Sequence, residues 1–128
     1  MPHLFPPLRT LFPALLLLLA LGVLPPAHAA FVPGTEDVPL APGLAAVADG
    51  ALVFDNPTGR IIQATAIGPA DADTVTRFYA ETLPQLGWAR GTDGRWTRAE
   101  EVLDITIATD APTRRLTVRF QLSPRADR

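Results

Sequence analysis

Carboxylates are the main acid–base resource of this chain, and Asp71-Ala72-Asp73 and Glu100-Glu101 are among the places where they come close together in sequence. A facing pair of carboxyls across a cleft is what glycoside hydrolysis requires. Gathered carboxylate oxygens could also hold calcium, although nothing here resembles the EF-hand loop with its closing bidentate glutamate. Both groups have plainer readings. Asp71 or Asp73 is placed to cap a helix N-terminus, and Glu100-Glu101 suits a solvated turn.

Other catalytic chemistries lack their side chains. Beyond residue 29 there is no His, Cys, Lys or Met, and Ser123 is the only serine. A serine nucleophile would have no imidazole base, and thiol nucleophiles, Schiff-base lysines and His/Cys metal sites are excluded. Neither GxxxxGK[ST] nor GxGxxG occurs, so no phosphate-cradling loop is expected, and no cofactor.

Arginine is the only strongly basic residue type, and Arg114, Arg115, Arg119, Arg125 and Arg128 gather late in the chain. Arg119, with Arg95 near it on a solvated sheet face, could contact an anionic glycan, a lipid headgroup or an acidic partner. Aromatic residues are not interleaved with these arginines, which argues against nucleic acid. Beyond residue 29, 10 arginines stand against 13 acidic residues; that net negative balance argues against nucleic acid again, and against an anionic membrane surface. Phe78, Tyr79, Trp88 and Trp96 could line a pocket but suit a core equally.

These residues must be positioned by a small domain. Arg9 precedes an apolar stretch of 14 residues, Leu11 to Leu24; Pro25-Pro26 ends it and Ala27-His28-Ala29 follows. That order is a secretory signal with cleavage after Ala29. The stretch is short against the roughly 20 residues of a membrane span, so no stable membrane insertion is expected after cleavage. The expected organisation is a signal peptide over residues 1–29, an extended Pro-rich arm over 30–48, one domain over 49–124 and a tail over 125–128. The arm could lie along the domain surface, held by Val38, Leu40 and Leu44, or stay loose, and its Glu36 and Asp37 are candidate partner contacts. With no cysteine, the core alone must hold the exported domain together.

Leu52-Val53-Phe54 and Arg60–Ile67 flank the turn formers Asp55-Asn56-Pro57-Thr58-Gly59 and predict a hairpin. Its second strand presents Ile62, Ala64 and Ala66 on one face and Ile61, Gln63, Thr65 and Ile67 on the other. Val75, Phe78, Tyr79, Thr82, Leu83 and Leu86 share a helical face. Pro84 ends or kinks that helix, and Gly87 suits a left-handed stop. Trp88–Arg90 and Arg95–Arg98 predict a second hairpin; a three-residue loop, Thr92-Asp93-Gly94, would set both tryptophans on one face. Leu103, Ile105, Ile107 and then Leu116, Val118, Phe120, Leu122 alternate with polar residues, giving one dry face and one wet face. The expected fold is α+β, in the order β-β-α-β-β-β, with the helix laid on the dry face.

Phe31-Val32-Pro33-Gly34-Thr35-Glu36-Asp37-Val38-Pro39-Leu40, Phe54-Asp55 with Gly59-Arg60-Ile61, and Phe78-Tyr79…Leu83-Pro84-Gln85-Leu86-Gly87-Trp88 together resemble a small exported protein family of alphaproteobacteria with no assigned activity. The resemblance implies a periplasmic location and an α+β domain, and carries no catalytic or binding residue. The expectation is therefore a periplasmic or secreted binding module, non-enzymatic, whose partner is an envelope protein or an anionic envelope component. A carboxylate-dependent glycan hydrolase and a carrier of a small apolar ligand are the alternatives.

Overall fold

The computed structural model describes residues 30–126; the expected signal peptide and residues 127–128 lie outside that range. Seven strands and one helix follow in order: β1 (Ala45–Ala46), β2 (Leu52–Asn56), β3 (Gly59–Gly68), α1 (Ala72–Gln85), β4 (Ala89–Arg90), β5 (Trp96–Arg98), β6 (Glu101–Asp110) and β7 (Arg115–Pro124). The α+β class is as expected. The order holds more strands than expected: the two-residue β1 is too short to leave an alternating pattern, whereas β4 falls within the predicted Trp88–Arg90 strand. All strand pairs are antiparallel, in the sheet order β1-β3-β7-β6-β5-β4, with β2 lying beyond β1 on the same side of β3.

The alternation in β6 and β7 sets the two faces. Leu103 and Leu116, Val118, Phe120 and Leu122 are buried, joined by Ile62, Ala64 and Ala66 of β3. Small side chains at Ala64 and Ala66 let the covering layer approach closely. Val75, Tyr79 and Leu83 of α1 complete this interior, with Phe78, Thr82 and Leu86 half-buried at its margin. Asp71 caps the helix by accepting from the Thr74 N–H at 3.1 Å, as its position predicts. Pro84 is accommodated inside the last turn rather than ending the helix at Leu83. The chain reverses at Gly87, where φ is 90°.

The second hairpin has the predicted three-residue loop. Ala89 pairs with Thr97 and Arg90 with Trp96, Gly91 N–H donates to the Arg95 carbonyl at 2.7 Å, and Gly94 takes a φ of 83°. Glycine enters that left-handed region without the Cβ penalty other residues meet. Both indoles are therefore on the dry side, Trp88 2% and Trp96 5% exposed.

Residues 30–44 are built into the domain as a strap. Phe31 bridges Pro39, Val32 N–H donates to the Val38 carbonyl, and Leu40 N–H donates to the Ala30 carbonyl, each at 2.8 Å. Val32, Val38, Ala41 and Leu44 are buried. The Tyr79 hydroxyl locks the strap to α1, donating to the Pro39 carbonyl at 2.9 Å and accepting from the Ala41 N–H at 3.1 Å. Beyond the strap, β1 extends the sheet from within the segment expected to be an arm.

Candidate functional site: an open strand and an uncovered sheet face

Helix and strap cover one face of the sheet. The other carries Leu52, Gln63, Gln121 and Asp104 in one row across four strands, and Thr65, Arg119 and Thr106 in the next. A shallow cleft of about 400 Å³ lies over these two rows.

The four expected contact residues divide between opposite sides of the molecule. Arg95 and Arg119 share the uncovered face, as expected. Arg95, however, is held by Asp104 at 3.5 Å, while Arg119 is exposed and has no ion-pair partner among the described residues. Glu36 and Asp37 lie in the strap, beside a second cleft of about 450 Å³. Glu36 is exposed. Asp37 is already engaged within the chain, both its carboxylate oxygens accepting from Arg98 at 2.5 and 3.2 Å, while 43% of its side chain stays exposed.

Arg98 is the residue that the reading of charge clusters missed. Its guanidinium also donates to the Leu86 carbonyl at 3.1 Å, lies 3.6 Å from Glu101 and sits 4.3 Å over the Trp88 ring. Asp37 holds its pKa above the ordinary arginine value, against the opposing effect of burial. One cation thus ties strap, helix end and second hairpin together. The hairpin register carried a signal for it: pairing Ala89 with Thr97 puts Arg98 beside Trp88.

The other candidate groups are occupied structurally. Asp71 caps α1, and Glu101 is engaged with Arg98, with exposed Glu100 next to it. Among the described residues, no three His, Cys, Asp or Glu side chains gather as a metal ion would require. Tyr79 packs edge-on against Phe78 and Phe120 at 5.1 and 5.7 Å. Trp88, Trp96 and Tyr79 are core residues, with Phe78 packed against them.

The least expected feature is β2. Every residue in it is exposed, with Leu52 at 53%, Val53 at 47% and Phe54 at 50%. Among the described residues it pairs with β3 alone. Its remaining side therefore presents unpaired backbone N–H and C=O groups beside large apolar side chains, which is the usual template for adding a strand.

Among the described residues, the fold and this edge define an antiparallel α+β domain with a roofed face, a bare face and an open strand. Comparison with protein-family models, with curated proteins and with solved structures finds no match.

Proposed function

We propose that the chain is an exported, non-enzymatic interaction module of the cell envelope, and that it engages a protein partner by strand addition at β2. The carrying observation is the unpaired apolar edge Leu52-Val53-Phe54. Strand addition takes its affinity from main-chain hydrogen bonds and its specificity from alternate side chains, and β2 offers both. The leader-like first 29 residues and the resemblance to an exported family support the location.

A photo-crosslinking residue at position 54, in the full-length chain exported by its host cell, tests this reading. Position 77, on the exposed side of α1, serves as the control. Adducts to protein from position 54 and none from position 77 are expected. Failure to crosslink from 54, or equal labelling from both, overturns the proposal.

A further inference from the structure

The backbone register of β2 gives that edge a preferred occupant. On β3 the odd-numbered residues turn their backbone groups toward the β1–β2 side, as shown by Val47 N–H donating to the Thr65 carbonyl at 2.9 Å. Leu52 and Phe54 lie opposite Gln63 and Ile61, so their N–H and C=O groups are used within the hairpin. Val53 and Asp55 consequently aim theirs outward, where no strand among the described residues meets them, and extending β2 by one residue brings Ala51 into the same set.

Resting on the strand-addition reading, we propose that the occupant is a second copy of this chain. It pairs antiparallel along β2 with Val53 on the twofold axis. In that register the two Val53 residues exchange both backbone hydrogen bonds, and Ala51 does the same with the partner copy's Asp55, twice by symmetry. Leu52 then falls opposite Phe54 of the other copy, at the non-hydrogen-bonded positions where cross-strand side chains come closest. Leu52 and Phe54 share the bare face of the sheet, so four apolar side chains meet there, flanked by Ile61 from each copy.

Charge fits this arrangement. Asp55 is the only ionised residue in β2, and it is neutralised within its own chain by Arg60 at 3.3 Å. Across the axis it faces alanine, so no like charges meet. The opposite end of the sheet is treated differently: β4 is two residues long and ends on Arg90, a short charged edge of the kind that resists pairing. From Ala51 to Asn56 there is neither proline nor an unpaired charge. With only one such edge among the described residues, twofold pairing closes at the dimer.

Covering half of each of three side chains buries on the order of 300 Å² per copy, well below the roughly 800 Å² per partner of a standard stable interface. Association is therefore weak and reversible. Sedimentation equilibrium on the purified exported protein tests it. The average mass is expected to rise toward twice the monomer between about 10 μM and about 1 mM. L52E and F54K alone each weaken association by at least about 10-fold, and R77E leaves it unchanged. An equimolar mixture of L52E and F54K restores pairing, because the carboxylate introduced at position 52 of one copy then faces the ammonium introduced at position 54 of the other. That rescue also requires both variants to be folded, so it separates lost pairing from lost structure. A wild-type protein that stays monomeric at about 1 mM, species larger than a dimer, or a mixture that fails to recover overturns the assignment. Crosslinks from position 54 only to a different protein would overturn self-pairing while leaving the interaction-module reading in place; no crosslinks at all would remove both.

Discussion

Tyr79 is the only tyrosine in the chain, so its ionisation can be followed without interference from another phenol. Burial pushes its pKa up from 10.0 to about 12, partly offset by the Ala41 N–H bonding to its oxygen. An acid whose pKa is higher in the folded state stabilises the fold below the unfolded value, and that contribution is lost as pH rises through the folded value. Stability is therefore expected to be flat to about pH 9 and then to fall by roughly 2–3 kcal/mol between about pH 10 and 12. Tyrosinate absorbance during denaturant titrations at each pH checks this, and Tyr79→Phe should abolish the tyrosine-linked part of the decline. Arg98 bears on strap, helix and hairpin at once. Arg98→Ala removes its bonds to Asp37 and Leu86 and its stacking on Trp88, and is expected to cost about 2 kcal/mol. Asp37→Asn, which keeps hydrogen-bonding capacity but loses the charge, should cost about 1 kcal/mol or less, since the pair is only partly shielded from solvent. Urea denaturation of both single variants and the double variant gives the coupling.

At the scale of elements, the end of β3 is the tightest junction. A Cβ placed on Gly68 would come within 1.8 Å of the Gly43 carbonyl oxygen and 2.9 Å of its carbon. Both are backbone atoms, so no rotamer change can relieve the contact, and β3 or the strap must move. Gly68→Ala is expected to cost more than about 3 kcal/mol, in the range of severe overpacking, and thermal melts would show it. Much of the element-level structure was readable beforehand, because it depends on neighbours in sequence. Asp71 caps α1 three residues ahead of the amide it accepts from. The Thr92-Asp93-Gly94 loop fixes the parity that sends both tryptophans inward. Alternation in β6 and β7 separates dry from wet. Of the two-residue strands, β1 was not readable, since two residues carry no period, whereas β4 was marked by the hairpin loop that follows it.

Across the whole molecule, the sheet is roofed on one face by two layers of different origin, α1 and the strap. Deleting residues 30–44 would take Val32, Val38, Ala41 and Leu44 out of the core and leave the Tyr79 hydroxyl without its partners. At roughly 1.5–3 kcal/mol for each fully buried Val or Leu side chain, that loss is comparable with the roughly 5–15 kcal/mol that stabilises a whole domain. The truncated chain is expected to be largely unfolded, with both tryptophans red-shifted in fluorescence and the far-ultraviolet circular dichroism collapsed. The bare face and β2 lie on the far side and edge of this arrangement, which leaves them open to another chain without disturbing the core.

Within this sequence, the order and spacing of side chains determined the missing chemistries, the leader-like start, the helix with its cap, and which strand faces are dry. These are local properties, set by backbone periods of 3.6 and 2 and by turn stereochemistry. The tertiary structure alone decided that Leu52-Val53-Phe54 would stand at an edge, that Asp37 would be held by Arg98 from 61 residues away, and that a proline-rich segment would become a wall of the core. Strands join through backbone groups that every residue except proline carries. A run of apolar side chains can therefore announce a strand, but the sheet as a whole determines whether another strand lies beside it.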